Sequence, residues 1–153
     1  MQGPPTDEIH SEMRVVVTGV TGLLGRALVN RLVSSGDSVA VLTRDASKAR
    51  RILPSAVDIF EWDPYASPLP SDSLRDAAAL VHLAGEPIIG LWTKAKRKRI
   101  SQSRILTTQS LVSALKGTNN SQIRMVSASA VGFYGDRGSE LLTEEAQPGQ
   151  GFI

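Results

Sequence analysis

Three glycines in a three-residue rhythm carry the most specific chemistry in this chain. They lie in Thr18-Gly19-Val20-Thr21-Gly22-Leu23-Leu24-Gly25, directly after the apolar run Arg14 to Thr18 and directly before a helical pattern. Glycine at the first position permits a tight turn from strand into helix, because no Cβ restricts φ. At the second position it leaves the backbone open to a pyrophosphate, and at the third it lets the helix pack closely on the sheet. A helix start also offers unpaired N–H groups and the positive end of the helix dipole. The stretch is therefore a candidate cradle for a dinucleotide, with Gly19, Thr21, Gly22, Leu23, Leu24 and Gly25 as its cofactor-binding residues.

A second candidate group closes the next strand. Sites for NAD place an acidic residue about 20 residues past the glycine turn, where it holds the ribose 2′-hydroxyl. Here Arg44 comes first and Asp45 follows. A guanidinium fits a 2′-phosphate and can lie over an adenine face. NADP(H) is thus expected ahead of NAD(H), with Asp45 keeping NAD(H) as the alternative. Lys48 and Arg50 add positive charge close by.

The elements that must position these groups follow from periodicity. Arg14 to Thr18 and Ser38 to Thr43 read as strands buried on both faces. Between them, Leu24, Leu28 and Leu32 predict one apolar face of a helix ending near Gly36. Ala46 to Arg51 predicts a short basic helix closed by Pro54. Val57 to Trp62 predicts a third strand, stopped by Pro64. Ser71 to Ala77 predicts a helix or helical turn, and Ala78 to Leu83 a fourth strand. Lys94 to Lys116 predicts a long amphipathic helix with Ile100, Leu106, Leu111, Val112 and Leu115 inward, ended by Gly117 and Asn119-Asn120. Ile123 to Ser127 predicts a fifth strand, and a loop is expected from Gly132 on. Such alternation implies an α/β fold, a Rossmann-type doubly wound parallel sheet of five strands, incomplete at its C-terminus.

Composition narrows the function classes. The chain has 153 residues, 41% hydrophobic and 21% charged, with a net charge of +2. That suits one globular domain and gives no global signal for nucleic acid or membrane. With no cysteine, disulfides, zinc–thiolate sites and thiol nucleophiles are excluded. No His/Asp/Glu cluster has metal-ligand spacing. No apolar run approaches the roughly 20 residues of a membrane span. The basic run Lys94 to Arg99 lacks interleaved aromatics beyond Trp92 and reads as a solvated helix start; since it opposes the helix dipole, contact with a cofactor phosphate stays open as the alternative. His82 reads as a core or ligand-lining histidine, and Trp62 and Trp92 as packing residues, Trp92 also at the site rim. Residues 1–12 read as a disordered, acidic leader without signal-peptide or transit-peptide character, so a cytoplasmic location is the default.

With these residues in hand, the chain resembles the extended short-chain dehydrogenase/reductases. Within them it is similar to the epimerase-family group with an NAD(P)-dependent epimerase/dehydratase domain. The resemblance rests on Thr18 to Gly25, Leu42 to Asp45, Trp62-Asp63-Pro64, Val81 to Ile88, Ser103-Arg104, Val126 to Gly135 and Leu142 to Glu145. It implies that Leu83-Ala84-Gly85 lines the adenosine ribose and pyrophosphate and that Asp63 sits near the adenine. It further implies that Ser129 occupies the position of a catalytic serine that hydrogen-bonds the substrate oxygen.

The superfamily's usual acid/base is a tyrosine four residues before a lysine, whose charge lowers the tyrosine pKa. Here Tyr65 is followed at that distance by Leu69, and Tyr134 by Gly138. Relatives continue past this point into a further helix, a sixth strand and a substrate domain, so residues 13–153 are expected to be the N-terminal part of the dinucleotide-binding domain. In the full-length protein the expected function is NADP(H)-dependent oxidoreductase or sugar-nucleotide-type epimerase chemistry on an unknown small-molecule substrate. The alternative is a non-catalytic NADP(H)-binding or sensing module acting through a protein partner. The chain by itself is expected to bind cofactor weakly, to be inactive, and to be able to self-associate through exposed apolar sheet surface.

Overall fold

The computed structural model describes residues 12–118, 120 and 122–150. The expected leader lies outside these residues except for Glu12, as does Asn119. The elements run β1 (Arg14–Thr18), α1 (Leu23–Ser34), β2 (Ser38–Thr43), α2 (Ala46–Ile52), β3 (Asp58–Glu61) and a 3₁₀ turn at Ser71–Leu74. They continue with β4 (Ala79–His82), α3 (Lys94–Gly117), β5 (Arg124–Ser127) and a second 3₁₀ turn at Val131–Tyr134. The five strands form one sheet in the order β3-β2-β1-β4-β5, and every pairing is parallel. This is a Rossmann-like α/β fold. The chain winds outward from β1 in one direction through β2 and β3, then returns to the other side of β1 for β4. The reversal leaves a crevice at the carboxyl ends of β1 and β4, where such sheets place ligands.

Strand residues alternate between two cores. Val15, Val17, Val39 and Val41 pack with Val29 of α1 and Ala49 of α2. Val16, Ala40 and Leu80 point the other way, toward Trp62, Leu74 and Leu111 of α3. Both faces of the central strands are therefore covered, which is why they read as unbroken apolar runs. On β5 the α3-side residue Met125 packs against the second core. Its neighbour Val126, facing the other side, is 57% exposed.

Helix ends follow their local chemistry. Gly36, at φ +85°, ends α1 in a Schellman motif. Its N–H donates to Val33 O at 3.1 Å, and the Asp37 N–H donates to Leu32 O at 3.0 Å. Asp45 caps α2, accepting the Lys48 N–H at 2.7 Å. Thr93 caps α3 through the Lys96 N–H at 3.2 Å. These side chains satisfy donors that a helix start leaves open.

Several expectations need correction. Leu24 is not on the buried face of α1, being 69% exposed; Gly25 and Val29 are buried, with Leu28 and Leu32 partly so. In α3, Ile100, Thr107 and Leu111 are buried. Leu106 is 37% exposed, because the position one residue on completes the seven-residue step from Ile100. The helical turn expected from Ser71 forms as a 3₁₀ turn, but it stops at Leu74 rather than Ala77. A 3₁₀ turn also interrupts the expected C-terminal loop at Val131–Tyr134.

Candidate functional site

A cavity of about 650 Å³ opens at the carboxyl ends of β1 and β4. The turn after β1 lines it with Gly19, Thr21 and Gly22, the end of β2 with Arg44, and the turn after β4 with Leu83, Ala84 and Gly85. These are sequence-predicted residues from three separate segments, brought together by the parallel register. Its size is that of a ligand pocket.

The three glycines differ in what they do. Gly19 has φ +74°, and a Cβ there would lie 2.5 Å from the Leu83 carbonyl carbon and 2.7 Å from the Ala84 nitrogen. A Cβ on Gly25 would strike the Gly19 carbonyl oxygen and sit 2.7 Å from Val20 Cα. Gly25 thus lets α1 close onto its own turn, more directly than onto the sheet. Gly22 is exposed and has an ordinary φ of −82°. It is the N-cap of α1, with no side-chain cap and no acidic residue in the first turn. An anion there meets backbone N–H groups with no carboxylate in competition.

Thr18 ties the two turns together. Its Oγ1 accepts the Leu83 and Ala84 N–H groups at 3.2 Å each. That leaves its own proton for His82 Nδ1 at 2.7 Å. A hydroxyl has two acceptor positions and one donor, so all three are used. The network assigns His82 as the neutral imidazole with its proton on Nε2. Burial holds the pKa of His82 below its ordinary value of 6.5. The unfolded chain therefore takes up a proton near pH 6.5 that the folded chain refuses until lower pH. The resulting stabilisation is complete above pH 6.5 and is lost as the pH falls from there through the folded value. We expect denaturation free energy to fall by up to about 1.4 kcal/mol per pH unit in that window. A His82→Asn variant, whose Oδ1 still accepts from Thr18, should lack this component in the same urea titrations.

Glu86 organises the start of α3. Its Oε1 accepts from Lys96 Nζ at 2.9 Å and from Arg99 Nε at 3.4 Å. The hydrogen bond from Lys96 is the main cause holding the Glu86 carboxyl below its ordinary pKa. These pairs explain part of the basic run: two of its cations answer a carboxylate carried by the loop after β4. Arg104 donates to the Glu86 carbonyl oxygen at 3.3 Å, and its guanidinium packs beside Gly85.

Other predicted residues stand apart from the cavity. Leu23 and Leu24 are exposed at the start of α1, and Gly25 is buried behind it. Asp63 lies between the lining residues Trp62 and Pro64, its Oδ1 accepting the Tyr65 N–H at 3.0 Å. Ser129 is exposed, two residues past β5, and does not line the cavity. Trp92 does not line it either. Sequence reasoning missed several lining residues, Trp62, Tyr65, and Gln102, Ser103 and Thr107 of α3, while Arg99 comes from the basic run for which a phosphate contact stays open. The α3 set has a signal that would have found it, since positions 99, 102, 103 and 107 share one helical face. Among the described residues no His/Cys/Asp/Glu group could hold a metal ion, and no helix is long and apolar enough to cross a membrane.

A parallel α/β sheet with a glycine turn opening onto its crevice defines a Rossmann-like class of protein. Within that class, the family described as NAD dependent epimerase/dehydratase matches residues 15–151. The chain belongs to this family. It is 35% identical over 153 aligned residues to the chloroplastic SDR39U1 homologue of Arabidopsis thaliana, an epimerase family protein, covering 94% of this chain and 42% of that one. Among solved structures, it is similar to the nucleoside-diphosphate sugar epimerase of Corynebacterium glutamicum, with 38% identity, a TM-score of 0.71, and coverage of 93% of this chain and 28% of that one. It is also similar to human epimerase family protein SDR39U1, solved with NADPH, with 29% identity, a TM-score of 0.67, and coverage of 89% and 43%. The chain spans less than half the length of the curated relatives it matches.

Proposed function

We propose that this chain binds NADP(H) in the crevice between the β1 and β4 turns, preferring it to NAD(H). One observation carries the preference. Arg44 lines the cavity, while the Asp45 carboxylate is turned away to cap α2. An acidic residue occupied in that way is poorly placed to hold a ribose 2′-hydroxyl, and a guanidinium facing the cavity suits a 2′-phosphate. The uncapped start of α1 suits the pyrophosphate. The human relative's structure with NADPH supports the same reading.

When bound, the cofactor supplies hydride transfer. The residues of this chain hold its adenosine side: Gly19, Thr21 and Gly22 at the phosphates, Arg44 at the 2′-phosphate, and Leu83 to Gly85 along the ribose. Leu23, Leu24 and Gly25 contribute the backbone of the first turn of α1, and Asp63 flanks the adenine end. In the whole protein we assign oxidoreductase or sugar-nucleotide-type epimerase chemistry, with Ser129 polarising the substrate oxygen from the carboxyl end of β5. NADPH oxidation with a panel of carbonyl compounds separates this from a non-catalytic sensing module. A cytoplasmic setting is the part of the proposal that rests on sequence alone. Self-association through the Val126 side of β5 belongs to it as well.

Calorimetric titration of the purified chain with NADPH and NADH is the direct test. The expected result is tighter binding of NADPH, with Arg44→Ala weakening NADPH about tenfold and NADH little. Equal affinities that Arg44→Ala leaves unchanged refute the assignment of Arg44.

A further inference from the structure

The preference for NADP(H) leaves the basic start of α3 without a ligand role. Arg99 is the member of that run that reaches the cavity, sharing its lining with the glycine turn. Its attachment to the protein is slight. Only Nε engages Glu86, at 3.4 Å, and the Arg99 side chain is 59% exposed. Glu86 already has the closer and more buried Lys96, at 2.9 Å. Two cations thus share one carboxylate, and one positive charge is in excess at the cavity wall. Among the described residues, the two terminal guanidinium nitrogens of Arg99 have no hydrogen-bond partner. An exposed, long ion pair of this kind is weakly held and readily exchanged.

We infer that Arg99 is a second anion-binding arm of the cavity, leaving Glu86 to pair with the pyrophosphate of the dinucleotide whose other side rests on the α1 start. The inference rests on the dinucleotide reading above and adds a residue with a different task. Arg44 reads the 2′-phosphate, which only NADP(H) carries. Arg99 reads the diphosphate, which NADP(H), NAD(H) and ADP share. A planar fork with two free edges suits paired phosphate oxygens. Lys96 holds Glu86 in place, so the loop after β4 keeps its anchor when Arg99 leaves. Arg104 is engaged by main-chain oxygens of the same region and is not available for this task.

The two tasks separate by titrating the purified chain with NADPH, NADH, ADP and adenosine. Arg99→Gln should weaken the first three by a similar factor of about ten and leave adenosine unchanged. Lys98→Gln, which removes an equal charge from the same helix outside the cavity lining, should leave all four within about twofold at moderate salt. Arg99→Lys should recover part of the lost affinity, and thermal unfolding should show both Arg99 variants as stable as the parent. Losses confined to NADPH overturn the inference by giving Arg99 the task of Arg44. Equal losses in Lys98→Gln overturn it in favour of a general field. Unchanged binding in Arg99→Gln overturns it alone, with the dinucleotide reading intact. Failure of the parent chain to bind NADPH, NADH or ADP overturns that reading and this inference together.

Discussion

Gly19→Ala should unfold this protein more readily than any exposed substitution, while Gly22→Ala should leave the fold almost untouched. The two positions are three residues apart in one turn, yet their surroundings are opposite. At Gly19 an added Cβ meets main-chain atoms of Leu83 and Ala84 at 2.5 to 2.7 Å, and the residue needs φ +74°. Backbone cannot move aside as a flexible side chain does, so the turns after β1 and β4 must separate. The left-handed conformation costs about 1 kcal/mol for alanine, and overpacking adds about 1–3 kcal/mol. A loss of about 3 kcal/mol is a large share of the roughly 5–15 kcal/mol that holds a domain together. Gly25→Ala should behave similarly, since its Cβ collides with the Gly19 carbonyl and Val20 Cα. At Gly22 the nearest atom is the Gly19 oxygen at 3.3 Å, and φ is ordinary. There the added methyl lies on the exposed face of the turn. Urea denaturation should therefore show Gly22→Ala within about 1 kcal/mol of the parent, while calorimetry shows weakened dinucleotide binding. If Gly22→Ala binds normally, the phosphates do not approach this turn.

Thr18→Val should be the second large effect, although it preserves shape and removes a single hydroxyl. Thr18 is 1% exposed. Valine leaves the Leu83 and Ala84 N–H groups and His82 Nδ1 without the partner that all three share. The His82 contact is buried, while the Leu83 and Ala84 N–H groups are part-buried at the cavity wall, so about 1–3 kcal/mol should be lost. Thr18→Ser keeps the hydroxyl and should lose only the methyl's packing, about 1 kcal/mol. Comparing the two by urea denaturation isolates the hydrogen bonds from the packing. Dinucleotide affinity should fall in Thr18→Val and hold in Thr18→Ser, because Leu83 and Ala84 line the cavity. Equal stabilities for the two variants refute the assigned network.

The central strands were legible because burial on both faces writes a simple signal. Arg14 to Thr18 and Ser38 to Thr43 coincide with β1 and β2. The third strand was less legible. Val57 and Trp62 are buried, but they flank the paired residues Asp58–Glu61 rather than belonging to them. Within the site, residues set by local backbone demands, such as Gly19 and Arg44, could be read from the chain. Those on α3 could not, because their orientation depends on how the helix is rotated against the sheet. Leu106 looked like the inward residue, yet Thr107 is buried and lines the cavity. The bond between Thr18 and His82 was also hidden. It joins residues 64 positions apart that only the β1–β4 register brings side by side.

The division of the interior into two cores has a bearing on synthesis. The buried members of the first core all lie between Val15 and Val57, whereas the second requires Leu80 and Leu111. A ribosome adds roughly 5–20 residues per second, so one face of the sheet can close roughly 3 to 10 seconds before the other has its material. For the first part of that interval, until Ala79–His82 are made, β1 is an unfinished edge. Val16 lacks its cover, and the main-chain groups destined for β4 face solvent as a template for any passing strand. The point of greatest danger in the nascent chain is therefore the strand that ends up deepest, and a chaperone guarding this protein has its middle to protect.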